Sequence, residues 1–418
     1  MQYRKPNLFV YRFTQAISWV ASKLLFRLKI GRNDIKNKKG AFLVIGNHQC
    51  ALDFVNLITA TSRPMTFVFS KSFFSTLPIQ GFLRKLGVIP KQQFQTTVGD
   101  MKKMKAVVEA GHPLAIYPAG LMTEDGLSTP VPKATYKFLK WMNVDVYMAR
   151  TEGAYFVMPK WSKKLRPGRT DLNITLLFTA EELASLSLEE IKSRTDKVLL
   201  YDAYRDQEKH PYHYSDCENI QGLENVLYMC PVCGAEHTMQ AKNKSVISCT
   251  ACGYSQTMDK LGFFHCEDKS REIRYVSDWS KWIYQGVEQY VAADPDIELQ
   301  ADVSFRMVDE RKHKMVDVGE GTILLRRGQI TLLGCIKGEH IHLNVPIAGV
   351  PALPFSPGKH LEVQHGKDIY RCVFKDGRLV MKFINMVKAQ HKIEQAELLK
   401  VWDNILGVPS RKRRFAVG

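Results

Sequence analysis

The chain has 418 residues, 45% hydrophobic and 24% charged, a balance that excludes disordered and fibrous classes and allows two or three domains. Its formal net charge of +17 and sequence pI near 9.4 point to a polyanionic partner, either nucleic acid or an anionic membrane surface. Nine cysteines without a secretory leader favour a reducing compartment, and metal ligation over disulfides.

Leu8 to Ile30 is apolar and aromatic but carries Arg12, Lys23, Arg27 and Lys29. That is too many cations for a bilayer span of about 20 apolar residues. The segment within residues 1–34 reads as an amphipathic helix, lying among lipid headgroups or docked on the domain's own core. No other stretch is apolar enough to cross a bilayer, so a membrane-bound form would be peripheral or monotopic.

From residue 36 to about 180, short apolar runs alternate with helical stretches. Strands are expected at Ala41–Ile45, Thr66–Phe69, Leu114–Tyr117, Asp145–Ala149 and Asp171–Phe178, and helices at Leu52–Thr61, Val98–Ala110 and Ala134–Met142. This alternation predicts an α/β sandwich with a mostly parallel sheet, whose ligands sit on loops at the strand ends. A polar helical connection follows over residues 181–228.

Cys230-Pro231-Val232-Cys233-Gly234 and Cys249-Thr250-Ala251-Cys252-Gly253 form two Cys-x-x-Cys-Gly knuckles in residues 216–265. Their spacing is that of a four-cysteine zinc ribbon, with Cys230, Cys233, Cys249 and Cys252 as ligands. Four thiolates leave no open position for water, so the zinc is expected to be structural.

Residues 266–418 become rich in strands and turns after a helix over Asp278–Ala292. A hairpin is expected with its turn at Arg327-Gly328, then strands at His340–Val345, His360–His365 and Tyr370–Phe374, and a long helix from Leu379 to Leu406. Antiparallel strands closed by one helix resemble a pleckstrin-homology domain in architecture. The chain ends on the cluster Arg411-Lys412-Arg413-Arg414, suited to a polyanion.

The chemistry-bearing segment is Asn47-His48-Gln49-Cys50-Ala51-Leu52-Asp53. On one continuous helix, positions five apart diverge by roughly 140°. His48 and Asp53 therefore meet only if the histidine lies on a strand-to-helix turn and the aspartate on the first helical turn. There the carboxylate would fix the tautomer of the ring and leave its other nitrogen as a base. Cys50 is the rival nucleophile.

This segment resembles the first signature of the glycerolipid acyltransferase superfamily, the 1-acylglycerol-3-phosphate acyltransferases and their relatives. Companion blocks follow in order at Phe67–Phe74, Phe82–Lys91, Ala115–Gly120 and Val144–Tyr155, so the resemblance spans residues 35 to 180 and a domain over 35–215. It implies transfer of a fatty acyl group from acyl-CoA or acyl carrier protein to a lysophospholipid or related lipid hydroxyl, at the cytoplasmic face of a membrane. His48 and Asp53 would be catalytic, with Asn47, Lys71, Lys91, Pro118 and Gly120 at the substrates. The third block departs from the family's Pro-Glu-Gly-Thr-Arg: here it reads Pro118-Ala119-Gly120-Leu121-Met122, with no guanidinium for an acceptor phosphate. Lys71, Lys85 and Lys91 are the candidate replacements. The alternative is a non-enzymatic zinc-ribbon protein binding nucleic acid or another polyanion, which gives the ordered blocks no purpose.

Overall fold

The computed structural model describes residues 5–76, 79–93, 97–309 and 311–405, with side chains described as far as residue 396. The basic cluster at 411–414 lies outside the described residues.

The first sheet holds β1 (Lys29–Asn33), β2 (Leu43–Gly46), β3 (Thr66–Ser70), β4 (Ile89–Lys91), β5 (Leu114–Ile116), β6 (Val146–Glu152) and β7 (Asp171–Phe178). Its order is β1-β7-β6-β2-β5-β3-β4, parallel except between β6 and β7. All four residues of β2 are buried, as expected of a strand covered on both faces. Its alternate side chains enter different cores. Leu43 and Ile45 pack with Met104 and Val107 of α5 (Val98–Glu109) and with Leu139 and Met142 of α6 (Ala134–Met142). Val44 faces the opposite layer, which includes α1 (Leu8–Leu24) and α2 (Asp53–Ala60). Two short helices, α3 (Lys71–Thr76) and α4 (Gln80–Lys85), join β3 to β4.

The N-terminal segment departs from the expected single helix. The helix stops at Leu24, and Lys29–Asn33 joins the sheet as an exposed edge strand. One face of α1 docks on α2, where Ser22 Oγ donates to Asn56 Oδ1 at 3.1 Å and Tyr11 is fully buried. The opposite face leaves Phe9, Phe13, Ile17, Val20 and Leu24 exposed, Phe9 at 80%. Their spacing places them on one helical stripe. No described helix is long and apolar enough to cross a membrane.

After α7 (Ala154–Val157), the connection comprises α8 (Ala180–Ser185), α9 (Leu188–Leu199) and α10 (Ala203–Lys209). The small sheet that follows is antiparallel, in the order β11-β10-β9-β8, from β8 (Met239–Lys242), β9 (Val246–Cys249), β10 (Ser255–Met258) and β11 (Phe264–His265). The C-terminal sheet comprises β12 (Leu299–Asp309), β13 (Lys314–Arg326), β14 (Gln329–Ile336), β15 (Glu339–Pro346), β16 (Phe355–Ser356), β17 (His360–His365) and β18 (Asp368–Phe374). It is antiparallel, ordered β15-β14-β13-β12-β18-β17-β16, and the turn at Arg327-Gly328 joins β13 to β14. Two long helices belong to this half, α11 (Val276–Ala293) and α12 (Leu379–Ile405).

These regions share one core. The cluster containing Val44, Phe67 and Ala115 continues through Tyr155 and Tyr204 to Trp279 on α11 and Phe383 on α12. Ser72 of α3 also donates to buried Glu362 of β17 at 2.9 Å.

His360 on β17 carries a pH consequence. Burial, reinforced by the charges of Arg371, Lys359, Lys160 and Arg306, pushes its imidazole down to about 3. The unfolded chain takes up this proton below about pH 6.5 and the folded chain does not, so stability falls as pH drops through that window. The expected loss from this residue is about 1–2 kcal/mol at pH 5. Denaturant titrations at pH 7 and pH 5 check it: His360→Asn should flatten the difference, and equal slopes in both proteins would assign the loss elsewhere.

Candidate active site

The parallel strands β2, β5, β3 and β4 all end on the same edge of the sheet, and the candidate residues collect there. His48 lies on the turn between β2 and α2, and Asp53 is the first residue of that helix. His48 Nδ1 is 2.9 Å from Asp53 Oδ2. The same oxygen accepts the backbone N–H groups of Gln49 and Cys50, at 2.7 and 3.1 Å. A carboxylate held by two amides keeps its orientation, so Nδ1–H donates to Asp53 and Nε2 is left as the basic nitrogen. Nε2 has no hydrogen-bond partner among the described residues.

The neighbours of His48 explain how the turn is held. Asn47 Nδ2 donates to Thr151 O at 2.7 Å, and its Oδ1 accepts Thr151 N–H at 2.8 Å. Gln49 Oε1 accepts the N–H of Tyr155 at 3.1 Å. Residues 47 and 49 thus point toward β6 and α7, which turns His48 between them the other way. Asn47, expected at the substrate, spends its amide on this anchor instead. The His48 carbonyl accepts from Thr123 N–H and from the Tyr201 hydroxyl, each at 3.3 Å.

The Tyr117 ring, at the end of β5, stacks on the His48 imidazole with centroids 4.6 Å apart and planes 24° from parallel. Gly46 makes room for it, since a Cβ there would lie 2.8 Å from Tyr117 Cε1. Cys50 is buried, and its thiol donates to Asp53 Oδ1 at 3.3 Å. Burial and the Asp53 charge push that thiol well above its usual range, so it is protonated and unsuited to nucleophilic attack.

The remaining expected residues are spread along the edge. Lys71 opens α3 and is exposed, and it lines a cavity of about 40 Å³ together with Val345, Val350 and Leu353 of the C-terminal half. Lys91 ends the edge strand β4, and burial pulls its ammonium below its usual range while Asp100 partly restores it. With β4 three strands from β2, Lys91 begins roughly 14 Å from the His48 turn at the usual strand spacing. Lys85 is exposed at the end of α4. Pro118 has no N–H, and Gly120, at φ +71°, donates its own N–H to Tyr117 O at 3.0 Å. The Gly120 carbonyl accepts from Gln93 Nε2 at 2.6 Å, tying the end of β4 to this loop.

Sequence reasoning missed two acids. Glu124 and Asp125 follow Met122 and are buried. Burial alone would raise the Glu124 carboxyl, but Lys388 and Lys160 hold it below the usual range. Asp125 is pushed up to about 6 by burial and by Glu124. Lys160 Nζ lies 3.5 Å from Met122 O, and burial pulls this amine down to about 7 against the opposing charge of Glu124. The sequence signal was slight: two adjacent acids in a polar loop, with their cation partners distant in the chain.

The four knuckle cysteines come together, all sulfurs within 4.8 Å of one another. Cys230 and Cys252 are 3.7 Å apart, and Cys233 and Cys249 3.8 Å. A tetrahedral centre with Zn–S bonds of about 2.3 Å requires sulfurs about 3.8 Å apart, so the set fits such an ion. Gly234 and Gly253, at φ +71° and +77°, close the two turns by donating to Cys230 O and Cys249 O.

The structure is similar to that of the 1-acyl-sn-glycerophosphate (LPA) acyltransferase PlsC from Thermotoga maritima, at 18% identity and a TM-score of 0.41, over 48% of this chain and 80% of that one. It is also similar to the Ran-binding domain of the nuclear complex component Nup2 from Ashbya gossypii, at 16% identity and a TM-score of 0.18, over 25% of this chain and 98% of that one. No curated protein matches the chain. Residues 27–160, which contain His48, Asp53 and the loop after β5, match the Acyltransferase family. What the comparison supports is therefore a likeness of this segment to the Acyltransferase family.

Proposed function

We propose that this protein transfers a fatty acyl group from acyl-CoA or acyl carrier protein to the hydroxyl of a lysophospholipid or related lipid. The observation that carries the reading is the His48–Asp53 pair inside the family-matched segment, with Asp53 Oδ2 also held by two amides. His48 Nε2 takes the acceptor's hydroxyl proton as that oxygen attacks the thioester carbonyl. Collapse of the tetrahedral intermediate breaks the C–S bond, and the imidazolium returns the proton to the departing thiolate. Asp53 stays a carboxylate throughout and stabilises the imidazolium. The Gly120 N–H is already engaged, so other donors serve the oxyanion. Lys91, too far along the edge for that role, suits the acceptor's headgroup.

Purified protein tests this reading directly, supplied with long-chain acyl-CoA or acyl carrier protein and a panel of lysolipids. An acylated lipid should form with one or more acceptors. No product from any donor–acceptor pair would remove the proposal.

The enzyme works as a peripheral, monotopic protein at the cytoplasmic face, with α1 as its membrane contact. The apolar stripe from Phe9 to Leu24 enters the headgroup region, and Arg12 and Lys23 meet anionic lipid. Since Tyr11 and Phe26 are core residues, deletion of the segment would damage the fold, and a surface variant is the cleaner probe. Phe9→Ser with Phe13→Ser should lower binding to vesicles containing phosphatidylglycerol several-fold, with little change in thermal stability. Added salt should weaken wild-type binding. Unchanged vesicle sedimentation of the double variant would assign the contact to another surface.

Cys230, Cys233, Cys249 and Cys252 would hold one structural zinc, whose chemistry there would be to close the ribbon. Residues 266–418, a strand-rich unit ending in a helix and of pleckstrin-homology-like outline, support the site as well as any membrane recruitment.

A further inference from the structure

The loop after β5 stands between the two halves of the molecule. On one side, Thr123 N–H donates to the carbonyl of His48 at 3.3 Å, so the loop backs the turn that carries the proposed base. Its fold is local: Thr123 Oγ1 donates to Asp125 Oδ1 at 3.1 Å and accepts the N–H of Gly126 at 2.9 Å. On the other side, its buried acids meet groups from the C-terminal half. Lys388 Nζ, from α12, lies 2.7 Å from Glu124 Oε1. Ser280 of α11 lies near enough to Asp125 to favour its charged form. Lys160 sits with its Nζ 3.3 Å from the centroid of Phe355, on β16.

The helix that supplies Lys388 is fixed along its length. Lys382 pairs with Glu236 of the ribbon, Lys392 pairs with Glu288 of α11 at 2.7 Å, and Gln390 accepts the N–H of Gly328 in the β13–β14 turn at 2.9 Å. A point held by three separate units is a firm anchor. Glu124 is buried and Lys388 is the cation hydrogen-bonded to it, so with only the more distant charge of Lys160 left the loop would rearrange toward water.

We infer that Lys388 is a positioning residue for the reaction at His48: through Glu124 it fixes the Thr123–Gly126 loop, and through Thr123 the turn carrying the base. The inference rests on the proposed function, and it makes the C-terminal half part of the catalytic apparatus. A displacement of the base by about 1 Å is enough to cost up to about 100-fold in rate without any loss of binding groups.

The test uses the full chain and compares Lys388→Met, Lys388→Arg, Glu124→Gln and the double variant Lys388→Met/Glu124→Gln, with Lys375→Met as control. Lys388→Met and Glu124→Gln should each lower kcat roughly 10- to 100-fold while both substrate KM values stay within about 2-fold. The double variant should lose no more than either single one, because both remove the same contact. Lys388→Arg should recover most of the rate, and Lys375→Met, which removes only an exposed pair with Glu320, should match wild type. A second readout needs no substrate: the His48 imidazole resonances should shift in Lys388→Met and return in Lys388→Arg. Wild-type kcat with unshifted His48 resonances in Lys388→Met would overturn the inference. Should Lys388→Met not fold, Glu124→Gln decides it by the same two readouts, and multiplicative losses in the double variant count against it. If wild-type protein transfers no acyl group, the proposed function fails, while the His48 resonances still decide the positioning role.

Discussion

Replacing His48 with alanine is expected to lower acyl transfer by a factor of roughly 10² to 10⁴, the usual worth of a positioned general base. The fold should survive, since the side chain is partly exposed and its one side-chain hydrogen bond among the described residues is to Asp53. Asp53→Asn should be comparably damaging for a different reason. Asp53 Oδ2 accepts from two backbone amides as well as from Nδ1. An amide can keep some of these contacts but loses the charge that supports the imidazolium, and its NH₂ group facing the amides forces a change of orientation. Circular dichroism and thermal melts alongside steady-state rates separate chemistry from folding. Near-normal turnover in folded His48→Ala would remove the histidine from the mechanism.

Loss of the metal is the second large effect. One zinc per chain is expected by elemental analysis, bound by Cys230, Cys233, Cys249 and Cys252. The ribbon is stitched to both long helices, through Trp279 Nε1 donating to Met229 O at 3.0 Å and through the Lys382–Glu236 pair. Binding energy of a structural zinc is folding energy, and this ribbon shares a core with the rest of the chain. Chelation or Cys230→Ser should therefore lower the melting temperature on the order of 10 °C or more. Activity should fall only as structure is lost. Instant, reversible loss of turnover with an unchanged melt would place the metal in the reaction.

The pairing of His48 with Asp53 was legible in the sequence because a five-residue separation has a single geometric solution, a turn followed by a helix start. The central strands were legible for a similar reason, being continuous apolar runs buried on both faces. The edges of the sheet were not. Lys29–Asn33 is polar and exposed, and Ile89-Pro90-Lys91 is three residues long with a proline that an edge strand tolerates. Neither carries a periodic signal. Asn47 was placed at the substrate by the family resemblance, and only the fold reveals that Thr151 bonds to both its amide atoms. Glu124 lay beyond reach for a related reason: its partner Lys388 is 264 residues away, and no local pattern announces a contact of that span.

The charge of the chain now divides among places with different uses. Arg12 and Lys23 border the exposed stripe of α1, Lys160 and Lys388 are committed to buried acids, and Lys91 is half-buried at the sheet edge. A polyanion-binding scaffold has no need of a buried carboxylate holding a histidine tautomer at the end of a parallel strand.

The central claim is that His48 activates an acceptor hydroxyl for direct attack on a thioester. Release of free thiol from acyl-CoA, or from acyl carrier protein, measures this most directly when followed with and without lysolipid. The expected release depends on the acceptor, matches the acylated lipid formed, and drops roughly 10² to 10⁴-fold in His48→Ala. Thiol release that proceeds without acceptor, or at the wild-type rate in His48→Ala, would contradict it.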